Sequence, residues 1–147
     1  MQEIINGLLA NHILRVSVWA WLVAQILKVP VNILMYGKLD IRRLIGSGGM
    51  PSSHSALVVA LAVGIGKYVG WHTPTFAITA VTAGVVMYDA AGVRRAAGKQ
   101  AEVLNQIIEE YYRDSHISPK KLKELIGHSP IEVIVGGLLG AFFGFCL

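Results

Sequence analysis

The sequence predicts an all-α fold: an integral membrane helical bundle of about four spans, with short amphipathic cytoplasmic helices. Three observations point there. Hydrophobic residues make up 54% of the chain and charged residues 15%, whereas roughly a quarter of a soluble domain is charged. Mean hydropathy is positive, at +0.55. Four apolar segments, Ile13 to Tyr36, Ser55 to Val69, Thr75 to Tyr88 and Pro130 to Leu147, are separated by polar stretches. Several fall below the roughly 20 residues of a comfortable span, but short Gly/Ala-rich helices still suit a bilayer when they pack closely. A soluble helical bundle is the competing reading. By length the chain is one domain, residues 1–147. Its single cysteine, Cys146, excludes an internal disulfide and a cysteine-rich zinc site. No signal peptide is expected, since Glu3, His12 and Arg15 interrupt the N-terminal region.

Gln2 to Ala10 reads as an amphipathic segment lying in the membrane interface. The first span carries Arg15 near its start and Lys28 near Pro30, where a kink or an end is expected. Lys28 either snorkels to headgroups or points into the bundle, as intramembrane charges at functional sites do. A basic connector, Lys38 to Arg43, leads to Gly48-Gly49-Met50-Pro51-Ser52-Ser53-His54-Ser55-Ala56. A glycine-led polar loop entering a helix leaves backbone N–H groups free to hold an anion, beside two hydroxyls and an imidazole. The same residues also suit a plain N-cap made by Ser52 or Ser53. Ala56, Ala60 and Gly64 then recur every four residues, a spacing that lets membrane helices approach closely. Gly70 to Pro74 is a turn, and His72 within it is an exposed residue without an assigned role.

The third span leads into Asp89 and the cations Arg94, Arg95 and Lys99. If the helix continues, Asp89 lies one to two turns before them and can orient an arginine, the usual planar, bidentate partner of phosphate. Arginines flanking a span also simply meet lipid headgroups. Glu102 to Arg113 reads as an amphipathic helix with Val103, Leu104, Ile107, Ile108 and Tyr111 on one side. A short basic helix through Lys120, Lys121 and Lys123 follows, ended by Gly127. The last span opens with His128-Ser129-Pro130-Ile131-Glu132, in which Ser129 and Glu132 form a capping box around Pro130. His128 sits four residues before Glu132, and Gly136, Gly140 and Gly144 continue that interval. A carboxylate beside an imidazole fixes its tautomer and favours its charged form.

In a four-span topology, the end of span one, the start of span two, the end of span three and the start of span four share one membrane face. Eleven of the thirteen Lys and Arg residues, counting Lys28, fall on it, so the positive-inside rule makes it cytoplasmic and puts both termini outside. Two helix N-termini, several cations and two histidines then converge, which suits phosphate chemistry. The glycine faces also leave room for a homodimer.

These residues resemble a known superfamily. Pro51-Ser52-Ser53-His54 resembles the Pro-Ser-Gly-His motif of the phosphatidic acid phosphatase type 2 and vanadium-dependent haloperoxidase proteins. His128-Ser129-Pro130-Ile131-Glu132 resembles their His-x3-Asp motif. The strings Gly48 to Ala56 and Asp89 to Gln100 resemble the divergent branch of small membrane proteins, and that similarity runs over nearly the whole chain. No Lys-x6-Arg-Pro motif precedes the serine loop, and Leu122 stands where the third motif has an arginine. Ser53 replaces the motif glycine and Glu132 the aspartate.

The resemblance implies a metal-independent lipid phosphate phosphatase without cofactor. His128 would be the nucleophile, Glu132 its support and His54 the general acid. Ser52, Ser53, Arg94, Arg95, Lys99 and Asp89, with Lys28 and Arg43, would serve the phosphate. The implied partners are a lipid phosphate substrate and the bilayer, with no nucleic acid. Two other functions remain open: a lipid-phosphate binder or scaffold without turnover, and vanadate-dependent halide oxidation.

Overall fold

A computed structural model describes residues 1–37, 39, 48–112 and 127–146, with the side chains of Tyr36, Arg94 and Arg95 outside that set. The described residues form an all-helical bundle: α1 (Gln2–Ala10), α2 (His12–Tyr36), α3 (Ser53–Tyr68), α4 (Pro74–Ala91), α5 (Val93–Tyr111) and α6 (Pro130–Cys146). Local signals set most ends. Asn11 caps α2 by accepting from the Leu14 amide at 3.0 Å, and Gly37 closes it in the left-handed region, φ 66°. Thr73 caps α4 by accepting from Phe76 N at 3.3 Å, with Pro74 in the first turn.

Two alternatives that the sequence leaves open about helix continuity are decided by the fold. α2 does not end at Pro30, which lies inside the helix. Inside a bundle, neighbouring helices and side chains can re-satisfy the backbone that a proline frees. After the third span the helix does not run on unbroken, because α4 stops at Ala91 and α5 begins beyond Gly92.

α3 is the central helix, packed against α6, α2 and α4, while α5 touches only α4 among the described elements. Its contact with α6 is made by small residues. A Cβ on Gly136 would collide with the Ser52 carbonyl oxygen, one on Gly140 with that of Ala56, and one on Gly144 with Val63. The four-residue glycine interval therefore lets two backbones touch along their length. Ala20 and Ala24 of α2 meet Ala56 and Ala60 of α3, with Leu139 and Phe143 against them.

The distribution of polarity separates a membrane bundle from a soluble one. Outward-facing Ile78, Val81, Val85, Leu138 and Phe142 are each at least 60% exposed, whereas Ser17, Lys28, Asn32, Ser52, Ser53, Ser55 and His128 are buried. A soluble helical protein does the opposite; apolar outside with small and polar inside suits lipid. Two helical stretches, His12–Met35 and one that starts at Pro74, each contain a run of residues long and apolar enough to cross a membrane. α3 and α6 have 16 and 17 residues, about 24–26 Å, short of a hydrocarbon core of about 30 Å.

Candidate active site

The heads of α3 and α6 meet at the end of α4. The Ser52 amide donates to the Glu132 carbonyl at 2.9 Å, and the His128 amide donates to the Ala90 carbonyl at 3.2 Å. These main-chain bonds tie together three segments far apart in sequence. Ser52 caps α3 by accepting from Ser55 N at 3.4 Å, and its oxygen also accepts from the Ser55 hydroxyl at 3.0 Å. A cis Met50–Pro51 bond precedes it.

The capping box at α6 forms as the sequence suggests, and the histidine joins it. Glu132 N donates to Ser129 Oγ at 3.4 Å, and Ser129 N donates to Glu132 Oε2 at 3.1 Å. The same Oε2 lies 2.9 Å from His128 Nδ1. A carboxylate only accepts, so the ring proton belongs on Nδ1 and the lone pair on Nε2. That Nε2 is buried and has no hydrogen-bond partner among the described residues, in a residue only 1% exposed. Buried polar atoms are normally satisfied, and an orphan calls for a functional or ligand-based reason.

His54, on the first turn of α3, has its ring 6.3 Å from that of His128, centroid to centroid, at 66°. Imidazoles 74 positions apart in sequence thus share one pocket. Lys28 arrives from α2. Its Nζ donates to Ser53 Oγ at 3.2 Å and to Gln25 Oε1 at 2.8 Å, and the residue is 1% exposed. Removing an ammonium from water costs several kcal/mol, which these hydrogen bonds help to offset. A small cleft beside it, with about 20 Å³ of free space, is lined by Lys28, Asn32, Gly49, Met50 and Glu132 among others. It has room for one water.

The remaining candidates are placed less centrally. Asp89 is half-buried in the last turns of α4, next to Ala90. Lys99 is exposed on α5, which packs away from α3 and α6. Arg94 and Arg95 fall on the first turn of α5, with their side chains outside the described residues; Arg43 lies outside them altogether. Two residues escaped the sequence reading. Gln25 binds Lys28, and Asn32, 7% exposed, borders the same cleft. Their signal was available: polar residues three before and four after Lys28, on one face of an apolar span.

The chain also resembles known proteins. It is 44% identical over 144 residues to the membrane protein YuiD of Bacillus subtilis (strain 168), covering 90% of this chain and 91% of that protein. No solved structure matches it. Residues 9–143 match the family described as the Divergent PAP2 family, a range that takes in both histidines, Glu132 and Lys28. With motif, geometry and match in agreement, the chain belongs to the divergent PAP2 family.

Proposed function

We propose that the protein is a lipid phosphate phosphatase that works without a metal ion, through a phosphohistidine. The observation that supports this most is the buried, unpartnered Nε2 of His128, with Nδ1 held by Glu132 and the His54 ring nearby. His128 Nε2 attacks phosphorus, the ester P–O bond breaks, and His54 gives its proton to the departing alkoxide. Glu132 stabilises the positive ring that results. Water then gives a proton to the now neutral His54 and attacks the phosphohistidine, the P–N bond breaks and inorganic phosphate leaves. Lys28, Ser52, Ser53 and the cations at the start of α5 neutralise oxygens that gain charge in the transition state. Because these cations are side chains, chelation is not expected to stop turnover. The substrate is a membrane lipid carrying a phosphomonoester or pyrophosphate, entering from the cytoplasmic leaflet.

The test is phosphate release by the purified protein from a panel of lipid phosphates, in the presence of EDTA. His128→Ala is expected to abolish release and His54→Ala to lower it about 10²-fold or more. Undiminished turnover in His128→Ala removes the mechanism. The leucine at position 122, where the larger superfamily has an arginine, favours a second reading: binding of a lipid phosphate without hydrolysis. Retention of such a lipid with no phosphate released distinguishes it.

A further inference from the structure

At the end of the bundle away from His54 and His128, a groove of about 420 Å³ opens between α2 and α6. His12, Arg15, Val16 and Trp19 form one wall and Phe143 the other. Steps of three and four residues put the α2 positions on one stripe, about 10 Å long. Polarity is graded along it, with His12 and Arg15 at the mouth and Val16, Trp19 and Phe143 beneath. Arg15 Nη2 lies 3.5 Å from His12 Nδ1, and His12 Nε2 lies 3.0 Å from the Tyr68 hydroxyl. The guanidinium is therefore steadied at the mouth, and among the described residues no carboxylate lines the groove.

α1 fixes the depth of this mouth. Its Ile4, Ile5, Leu8 and Leu9 are exposed, and it packs only on α2 among the described elements. A helix with an uncovered apolar side beds into the membrane interface. It ends one residue before His12 begins α2, and the half-exposed Tyr68 and Trp71 stand at the same end of the bundle, as interfacial aromatics do. The groove mouth is thus at headgroup level and its apolar length within the acyl region.

We propose that this groove binds an anionic phospholipid of the bilayer, with the phosphate on Arg15 and an acyl chain along Val16, Trp19 and Phe143. Arginine pairs with phosphate in a bidentate manner, and a zwitterionic lipid brings its own cation to a mouth that is already positive. The site is separate from the hydrolytic pocket and does not depend on it.

Native mass spectrometry of the full-length protein, purified with equimolar phosphatidylglycerol and phosphatidylcholine, tests this. One cation near the surface is worth about a fivefold preference for the anionic lipid. Arg15→Gln is expected to bring the ratio close to one, while His128→Ala leaves it unchanged. Equal retention of the two lipids by the unmutated protein overturns the proposal, as does a preference that survives Arg15→Gln or disappears in His128→Ala. Should Arg15→Gln fail to fold, quenching of Trp19 in the otherwise unmutated protein decides, taken as the difference from Trp19→Phe. Acyl-brominated phosphatidylglycerol is then expected to quench more than brominated phosphatidylcholine, and equal quenching overturns the assignment.

Discussion

At the head of α6, one carboxylate oxygen of Glu132 accepts from both the Ser129 amide and the His128 ring, so substitution can separate capping from chemistry. Glutamine also completes a capping box, so Glu132→Gln is expected to keep the thermal midpoint of the parent. A neutral amide does not stabilise a positive or phosphorylated imidazole, and phosphate release is expected to fall on the order of 10²-fold. Glu132→Ala loses both functions, adding a destabilisation of about 1 kcal/mol from the lost cap. Phosphate release by Glu132→Gln at the parent's rate, measured beside its melting curve, would leave Glu132 with a capping role alone.

Among the elements, the α3–α6 contact decides whether the two histidines meet, and glycine makes that contact. At Gly140 an added methyl runs into the Ala56 carbonyl oxygen, which is backbone and has nowhere to go. Gly140→Ala is therefore expected to cost about 1–3 kcal/mol and to lower phosphate release by spreading the helix heads. Gly84 on α4 has nothing near its Cβ position, so Gly84→Ala is expected to be neutral or to stabilise by about 0.5–1 kcal/mol. Denaturation of both variants in the same detergent checks the pair, and equal midpoints would refute the packing argument. The same contact explains how much was legible beforehand. The interval from Glu132 through Gly136 and Gly140 to Gly144 announces a face, and the serine loop announces a helix start, so the meeting of His54 and His128 followed from topology. Gln25 and Asn32 needed a further step, because a lone amide in an apolar span looks the same whether it faces lipid or the interior, and only their spacing of three before and four after Lys28 puts them on the lysine's face. Periodicity also found the apolar side of α5 without saying what covers it: Val103, Leu104, Ile107 and Tyr111 are exposed, and Asn105 is buried instead.

Across the whole molecule, α3 and α6 run in the same direction and α2 and α4 run against them, as the contacts at both ends require. Lys28 meets Ser53 at one end of α3 and His12 meets Tyr68 at the other. His128 is tied to the end of α4, and Lys67 donates to the Phe145 carbonyl at the far end of α6. The histidine pocket and the tail of α6 therefore lie at opposite ends of the bundle. Eleven of thirteen Lys and Arg residues belong to the pocket's half of the connectivity, so the positive-inside rule predicts, as an expectation to be tested, that the pocket faces the cytoplasm. Cys146, the sole cysteine, is exposed at the other end and so reports the orientation without any substitution. A membrane-impermeant maleimide applied to intact cells expressing the protein, with any outer membrane made permeable, is expected to label Cys146. Pretreatment with a small permeant thiol reagent should block that labelling. Labelling that appears only once the inner membrane is broken reverses the orientation, and with it the leaflet proposed to supply the phosphate-bearing lipid.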